Sequence, residues 1–186
     1  RRHCGAMVFL STSRVYSIEE MARIPLKEGA SRLELGNVAD FRGLSAAGIS
    51  ESFSTVGHRS IYGSTKLASE LLIQEYVKAY GMKAVINRCG VIAGPGQFGK
   101  VDQGVFTLWV ARHYFGKPLK YTGFGGKGFQ VRDLLHPADL FTLVEKEFAG
   151  IDKVSGDIFN AGGGNAVSTS LCELTAVCRE VTGNTV

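Results

Sequence analysis

The chain has 186 residues, of which 45% are hydrophobic and 20% are charged, and its formal net charge at pH 7 is +4. This composition is typical of a globular protein with a sizeable core, and it excludes the disordered, collagen-like and membrane-spanning classes, since no apolar run approaches the roughly 20 residues of a transmembrane helix. The positive charges are dispersed, so a nucleic-acid surface is not indicated, whereas an anionic small substrate is compatible.

Neither the cysteines nor the start of the chain indicates export or metal binding. Cys4, Cys89, Cys172 and Cys178 are scattered without CxxC spacing, which predicts reduced thiols and neither a zinc site nor a disulfide framework. The first residues lack a signal-peptide pattern. We therefore expect a cytoplasmic protein without a bound metal.

The first predicted element is a strand. Met7 to Leu10 form a continuous apolar run that ends in small hydroxyl residues at 11–13, which favours a buried parallel strand. Ligand groups in open α/β sheets lie at the carboxyl ends of such strands. Thr12 is therefore placed where a substrate hydroxyl could be met.

A long connection and a long helix follow. Residues 17 to 58 are rich in charge, Ser and Gly and show no sustained period, so they predict lid, binding or mobile loops. Residues 64 to 80 carry apolar side chains at helical spacing and are followed by Gly81, which predicts a helix with one buried stripe.

The remaining chain alternates between strands and helices. The Gly-rich residues 123–128 fit GxGxxG, but the dinucleotide fingerprint needs a strand before it and a helix after it, and here a predicted strand follows. We therefore interpret this segment as a hairpin turn. The predicted elements are a strand over 83–92, a helix over 103–115, strands over 119–122 and 129–135, a helix from Pro137 to Gly150, a strand over 157–161 and a last helix opened by a capping box at Ser170.

Tyr62 and Lys66 stand four positions apart near the start of the first predicted helix. Four residues make about one helical turn, so both side chains should lie on one face. A nearby ammonium favours the ionised form of a phenol, which can then exchange a proton with an alcohol or a carbonyl. The same spacing also occurs in a surface tyrosine beside a solvated lysine, so the pattern alone does not establish catalysis.

Together, Ser11-Thr12-Ser13-Arg14-Val15-Tyr16 and Tyr62-Gly63-Ser64-Thr65-Lys66 resemble the extended short-chain dehydrogenase/reductase superfamily, and within it the nucleotide-sugar epimerases and dehydratases. The resemblance runs through nearly the whole chain. It implies an α/β fold with a doubly wound Rossmann-type parallel sheet, NAD as cofactor and a nucleotide-diphosphate sugar as substrate. The run from Gly99 to His136 is similar to the CDP-paratose 2-epimerase branch of that family.

The resemblance also implies roles for individual residues. Thr12 would hydrogen-bond the hydroxyl that is oxidised, Tyr62 would take its proton while hydride passes to NAD, and Lys66 would hold the cofactor ribose. Cofactor contacts map to Ser11, Tyr62, Lys66 and Cys89, and substrate contacts map to Thr12, Ser13, Val91, Gln103, Arg132 and Asn160.

Some of these residues have structural alternatives. The planar guanidinium of Arg132 suits two oxygens of a nucleotide pyrophosphate, but an ion pair with Asp133 or another carboxylate explains this position equally well. Asn160 precedes a glycine run, where stabilising a turn explains it nearly as well as substrate contact. Val91 stands where many relatives carry an asparagine, so the amide contact with substrate that is usual at this position is absent.

Residues 13 and 14 bear on the reaction. Dehydratases of the family place an Asp-Glu pair directly after the threonine, whereas this chain has Ser13 and Arg14. This difference favours an epimerase that oxidises and re-reduces its sugar, with C2 of a CDP-sugar as the position implied by the branch. The alternatives are a nucleotide-sugar dehydratase, a short-chain reductase or dehydrogenase of another small alcohol, and a non-enzymatic dinucleotide sensor.

The family begins with a strand, a GxGxxG turn, a helix and an acidic residue that hold the dinucleotide, and no such segment occurs here. We therefore expect a portion of a longer enzyme, with residues 1–96 as the C-terminal half of the NAD-binding domain and residues 97–186 as a mainly substrate-binding portion interleaved with it. The longer enzyme is expected to be a homodimer or homotetramer without nucleic-acid or membrane partners. The segment alone is expected to be unstable or self-associating, and inactive.

Overall fold

Strands and helices alternate along the computed structural model, which describes residues 5–101 and 103–186. The predictions for Cys4, and the part of the family resemblance that falls on Asp102, lie outside the described residues. In chain order the elements are β1 (Met7–Thr12), α1 (Ile18–Ala22), β2 (Leu26–Glu28), β3 (Leu33–Leu35), β4 (Leu44–Ser45), β5 (Gly48–Ile49), α2 (Ile61–Tyr80), β6 (Ala84–Cys89), β7 (Val91–Ile92), α3 (Val105–Tyr114), β8 (Val131–Arg132), β9 (Leu134–Leu135), α4 (Pro137–Ala149), α5 (Ile151–Val154), β10 (Ile158–Ala161), β11 (Thr169–Ser170) and α6 (Leu171–Thr182).

A parallel sheet of β1, β6 and β10, in that order, forms the centre of the structure. Every residue of the middle strand β6 is buried, as expected for a strand covered on both faces. The predicted strand over 83–92 is divided at Gly90 into β6 and β7. The register aligns Thr12, Cys89 and Ala161 at the carboxyl ends of the three strands. The predicted Rossmann-type parallel sheet is therefore confirmed.

Helices cover both faces of this sheet. Ile73 of α2 packs with Ala84 and Ile86 of β6, whereas Leu140 of α4 packs with Cys89 of the same strand. Successive residues of a strand point to opposite faces, so α2 and α4 lie on opposite sides. Among the described residues, no helix is both long enough and apolar enough to cross a membrane.

The helix α2 begins earlier than predicted. The Ser60 hydroxyl accepts a hydrogen bond from the Gly63 N–H at 3.0 Å, which caps the first turn. The helix ends at Gly81, whose φ of 65° suits a glycine C-cap. Tyr62 therefore lies in the first turn of α2, and Lys66 lies in the second.

The connection between β1 and α2 has a small core of its own, which its irregular pattern did not indicate. It contains α1 and two antiparallel hairpins, β2–β3 and β4–β5. Tyr16, Leu44 and Phe53 are buried together there, and the Tyr16 and Phe53 rings meet edge-on at 5.8 Å. Much of this connection is therefore folded against the rest of the chain.

The predicted hairpin around residues 123–128 is wrong. Residues 119–122 are irregular, and β8 and β9 pair instead with β11 and β7. Four glycines of the segment have positive φ, a conformation outside the range of paired strands. Tyr121 stacks on Trp109 of α3 at 5.4 Å instead of entering a strand.

Arg32, beside the β2–β3 hairpin, ties that hairpin to the start of α6. Its guanidinium donates to the two carboxylate oxygens of Glu173, at 2.6 and 2.5 Å. Glu173 also accepts from the Ser170 N–H, and the Ser170 hydroxyl accepts from the Glu173 N–H, so the predicted capping box is confirmed. Hydrogen bonds from Arg32, then from Ser170 and Ser31, outweigh burial and lower the pKa of Glu173 to about 2.

Replacing Glu173 by Gln should lower the free energy of unfolding at neutral pH. It should also make that free energy depend less on pH in the acid range. The folded-state pKa lies below the usual value of about 4.3, so the ionised carboxylate stabilises the fold fully above that value and loses this contribution as the pH falls toward about 2. Urea unfolding across this pH range measures the effect. Glu180→Gln, an exposed change on the same helix, is the matched control, and parallel pH curves for E173Q and the parent would contradict the prediction.

Candidate active site

The chain turns sharply after Thr12, the last residue of β1. The Thr12 hydroxyl accepts a hydrogen bond from the Arg14 N–H at 3.3 Å, which opens a 3-10 turn over Ser13–Val15. Thr12 is nearly buried, whereas Ser13 and Arg14 are exposed. These residues border the edge of the sheet at which open α/β folds bind their ligands.

Lys66 reaches the same edge from α2. Its Nζ donates to the Leu10 carbonyl at 2.8 Å and lies 4.8 Å from the centre of the Phe9 ring. Leu10 is two residues before Thr12 in β1. The lysine charge is therefore held beside the carboxyl end of that strand by a hydrogen bond and a cation–π contact.

The first turn of α2 lies directly against the 3-10 turn. A Cβ at Gly63 would overlap the carbonyl oxygen of Arg14, so the two segments approach closely only because residue 63 is glycine. The neighbouring Tyr62 is 50% exposed, and its hydroxyl makes no hydrogen bond to the residues that the structure describes. Tyr62, Lys66 and Thr12 thus lie on elements that meet at one edge of the sheet.

A buried ion pair, which the sequence did not predict, lies beneath this edge. The carboxylate of Glu70 is fully buried and accepts from Arg88 Nη2 at 2.8 Å and from Arg88 Nε at 3.1 and 3.2 Å. The Ser11 hydroxyl donates to the same carboxylate at 2.5 Å. One feature of the sequence could have indicated that Glu70 is buried: it stands at helical spacing between the apolar Leu67 and Ile73.

The Arg88 guanidinium continues this network toward β10. It donates to the Tyr16 hydroxyl at 3.2 Å, which in turn donates to Asn160 Oδ1 at 2.6 Å. Burial alone would lower the pKa of Arg88, but its hydrogen bonds to Glu70 and Tyr16 outweigh burial and raise it. Burial raises the pKa of Tyr16 as well, against the opposing effect of Arg88. Arg88 therefore stays charged and Tyr16 stays neutral.

Asn160 is also bound at its other polar atoms. Its Nδ2 donates to the Ile49 carbonyl at 2.9 Å, and its backbone N–H donates to Glu51 Oε1 at 2.6 Å. These bonds hold the connection between β1 and α2 against β10. They give Asn160 a structural role other than the predicted stabilisation of a turn, and its contact with substrate stays a prediction.

Arg132 lies at the surface, and its positive charge has no paired carboxylate in the part of the chain that the structure describes. Its Nη1 donates to the Val131 carbonyl at 2.8 Å, and no ion pair within the described ranges includes it. The packing around its guanidinium and then the positive charge of Arg14 lower the pKa of Arg132, against the opposing charge of Asp133. The ion-pair alternative is therefore not supported.

The other predicted contact residues are more dispersed. The hydroxyl of the buried Ser11 is directed to Glu70. Cys89 is buried with Leu135, Leu140 and Ala161, and burial raises the pKa of its thiol. Val91 pairs with Leu134 between β7 and β9, and Gln103 is exposed.

The described residues fit one end of NAD. Tyr62 and Lys66 present a phenol and an ammonium at the carboxyl edge of the sheet, where a nicotinamide and its ribose would meet them. A dinucleotide pyrophosphate is held by a Gly-rich turn that leads from a strand into a helix. The 123–128 segment is flanked by irregular chain on both sides and does not provide that turn.

The model of the NAD dependent epimerase/dehydratase family matches residues 1–162. The chain belongs to this family. Its cofactor is NAD, and its fold is the Rossmann-type fold of the extended short-chain dehydrogenases/reductases. Proteins similar to this chain include both nucleotide-sugar epimerases and nucleotide-sugar dehydratases.

The CDP-paratose 2-epimerase of Salmonella typhi is 33% identical over 121 residues, which cover 62% of this chain and 35% of that protein. The dTDP-glucose 4,6-dehydratase 1 of Escherichia coli K12 is 28% identical over 124 residues, which cover 62% of this chain and 31% of that protein. The UDP-glucuronic acid 4-epimerase of Bacillus cereus, solved with UDP-glucuronic acid and NAD, shares the fold with a TM-score of 0.70 at 24% identity, over 98% of this chain and 47% of that one. The chain thus spans at most about half the length of these relatives.

Replacing Gly63 by Ala should separate the start of α2 from the turn after β1. The added methyl group would overlap the Arg14 carbonyl, so either the helix or the turn must move, and core overpacking of this kind costs about 1–3 kcal/mol. Urea unfolding of the intact protein measures this loss. Ala68→Gly, an exposed change on the same helix, is the control for helix propensity; a Gly63→Ala protein as stable as the parent would contradict the close packing.

Proposed function

We propose that the intact protein containing this chain is an NAD-dependent epimerase of a nucleotide-diphosphate sugar. The observation that carries the proposal is that α2, which bears Tyr62 and Lys66, packs against the end of β1 and the turn after Thr12, in a member of this family. Lys66 donates to the main chain of β1 two residues before Thr12, so its charge and the Thr12 hydroxyl share one edge of the sheet.

In the proposed reaction, the Thr12 hydroxyl hydrogen-bonds the sugar hydroxyl that is oxidised. Tyr62 acts as the base that takes the proton of that hydroxyl, and Lys66 holds the cofactor ribose. NAD, when bound, supplies the chemistry of accepting a hydride from the sugar carbon and returning it. After the keto-sugar presents its other face, Tyr62 gives the proton back to the sugar oxygen, which completes the inversion.

The residues after Thr12 favour epimerisation over dehydration. Loss of water needs an acid and a base beside the sugar, and dehydratases of the family place an Asp-Glu pair there. Ser13 and Arg14 are exposed in this position and offer no carboxylate. The similarity to a CDP-paratose 2-epimerase supports C2 of a CDP-sugar as the inverted position.

Arg132 is proposed to bind the pyrophosphate of the nucleotide. No carboxylate of the described residues pairs with its guanidinium, whose planar geometry matches two phosphate oxygens. Such a residue supports a nucleotide-sugar substrate over the small alcohol of a simple reductase, which carries no pyrophosphate. Contacts by Ser13, Val91 and Gln103 with substrate, and by Ser11 and Cys89 with the cofactor, are part of the same proposal, as are a cytoplasmic location and assembly as a dimer or tetramer.

Replacing Tyr62 by Phe should leave the fold intact and lower kcat by about 10²- to 10⁴-fold, because only the proton-accepting oxygen is lost. Turnover of a nucleotide sugar by the intact protein, followed by NMR of the product, measures this. Tyr76→Phe, a change at another exposed tyrosine of α2, should keep full activity. A Tyr62→Phe protein as active as the parent would remove Tyr62 from the reaction.

Replacing Arg132 by Ala should mainly raise KM for the nucleotide sugar, because a phosphate contact acts in the ground state and the transition state alike. Arg132→Lys should lie between Ala and the parent, since an ammonium cannot bind two phosphate oxygens in one plane. Steady-state kinetics measure both variants, with Lys146→Ala, which removes an exposed cation of α4, as the control. A KM equal to that of the parent would rule Arg132 out as the pyrophosphate contact.

A further inference from the structure

One carboxylate joins three elements of the proposed active site. Glu70 lies on α2, accepts from Arg88 of β6 and accepts from the Ser11 hydroxyl of β1. Both charged residues are nearly inaccessible, with Glu70 at 0% and Arg88 at 6% exposure. No part of the proposed chemistry uses this buried pair directly.

Stability alone is a weak reason for such a pair. Moving two charges out of water costs several kcal/mol for each ion, and well-packed apolar residues in their place are often neutral or stabilising. The opposite face of β6 shows that this fold also buries a carboxylate without an arginine. There Glu147 accepts from Asn87 Nδ2 at 2.8 Å, and burial raises the pKa of Glu147.

The partners of Glu70 are neighbours of the proposed catalytic residues. Ser11 directly precedes Thr12 in β1, and Glu70 follows Lys66 by one helical turn. The bond between Ser11 and Glu70 is 2.5 Å long, so a movement of α2 away from β1 by about 1 Å would take it out of the usual hydrogen-bond range. The same shift would change the distance between Tyr62 and the substrate hydroxyl at Thr12.

We propose that Glu70 is a positioning residue, which fixes α2 against the end of β1 so that Tyr62 and Lys66 face the same substrate atoms as Thr12. This inference rests on the proposed function. A carboxylate suits the position because both of its oxygens only accept hydrogen bonds, and all the groups that surround it donate. Glutamine would direct an N–H toward the Arg88 or Ser11 donors.

The test uses two variants of the intact protein and one control. Glu70→Gln keeps the volume and removes the charge, but it leaves Arg88 buried and unpaired, which destabilises. The double variant Glu70→Met/Arg88→Met removes both charges, so the fold is retained while the polar connection between the three elements is lost. Glu147→Gln is the matched control, because it makes the same substitution at a buried carboxylate on the other face of β6.

We expect the double variant to keep the melting temperature of the parent and to lose about 10²-fold in kcat, the size of effect that follows a misplacement of about 1 Å. KM for the nucleotide sugar should change by less than about threefold, since Arg132 is untouched. A crystal structure of the double variant should show Lys66 Nζ farther from the Leu10 carbonyl than the 2.8 Å seen here. The Glu147→Gln control should retain both kcat and that contact.

Two results would count against the inference in different ways. A double variant with the kcat of an active parent and an unchanged contact between Lys66 and Leu10 would overturn the positioning role alone. A parent protein that is folded and binds NAD yet turns over no nucleotide sugar would overturn the proposed function, and the positioning role with it.

Discussion

The buried ion pair between Glu70 and Arg88 is the constraint on which the geometry of this molecule depends. Breaking such a pair by removing one partner costs about 3–5 kcal/mol, because the remaining charge stays out of water. The pair can be satisfied only if α2 lies over β6 at one height and in one rotation. Ser11 then fixes β1 to the same carboxylate, and Tyr16 extends the connection to Asn160 at the end of β10.

The middle strand β6 carries polar side chains on both of its faces, and the two faces are used differently. Arg88 faces α2 and connects the elements that bear the proposed catalytic residues, whereas Asn87 faces α4 and meets a single carboxylate, Glu147. Apolar clusters on each side supply the burial that holds the helices to the sheet. The polar contacts fix the position and orientation of the helices on the sheet, because hydrogen bonds and ion pairs are satisfied only within narrow limits of distance and angle.

Local patterns predicted the elements whose signals are local. The apolar run of β1, the capping box at Ser170 and the proline at the start of α4 each correspond to an observed element. The strands near residue 130 were assigned to the wrong partners because strand pairing is a long-range property, and β8 pairs with a strand far along the chain. The spacing of Tyr62 and Lys66 indicated a shared helix face, but the burial of Glu70 depends on Arg88, which lies on a distant strand. A sequence pattern does not contain that pairing.

The proposed function requires this site to invert a sugar carbon by removing one hydride and returning the same hydride to the opposite face. The most direct measurement is the fate of deuterium placed on the inverted carbon of a nucleotide-diphosphate sugar, beginning with C2 of a CDP-sugar and using the intact protein with NAD. NMR and mass spectrometry of the product should show the epimer with deuterium retained at that carbon, an unchanged mass and no net formation of NADH. A product lighter by one molecule of water would contradict epimerisation and indicate a dehydratase, and NADH formed in step with oxidation of the substrate would indicate a dehydrogenase.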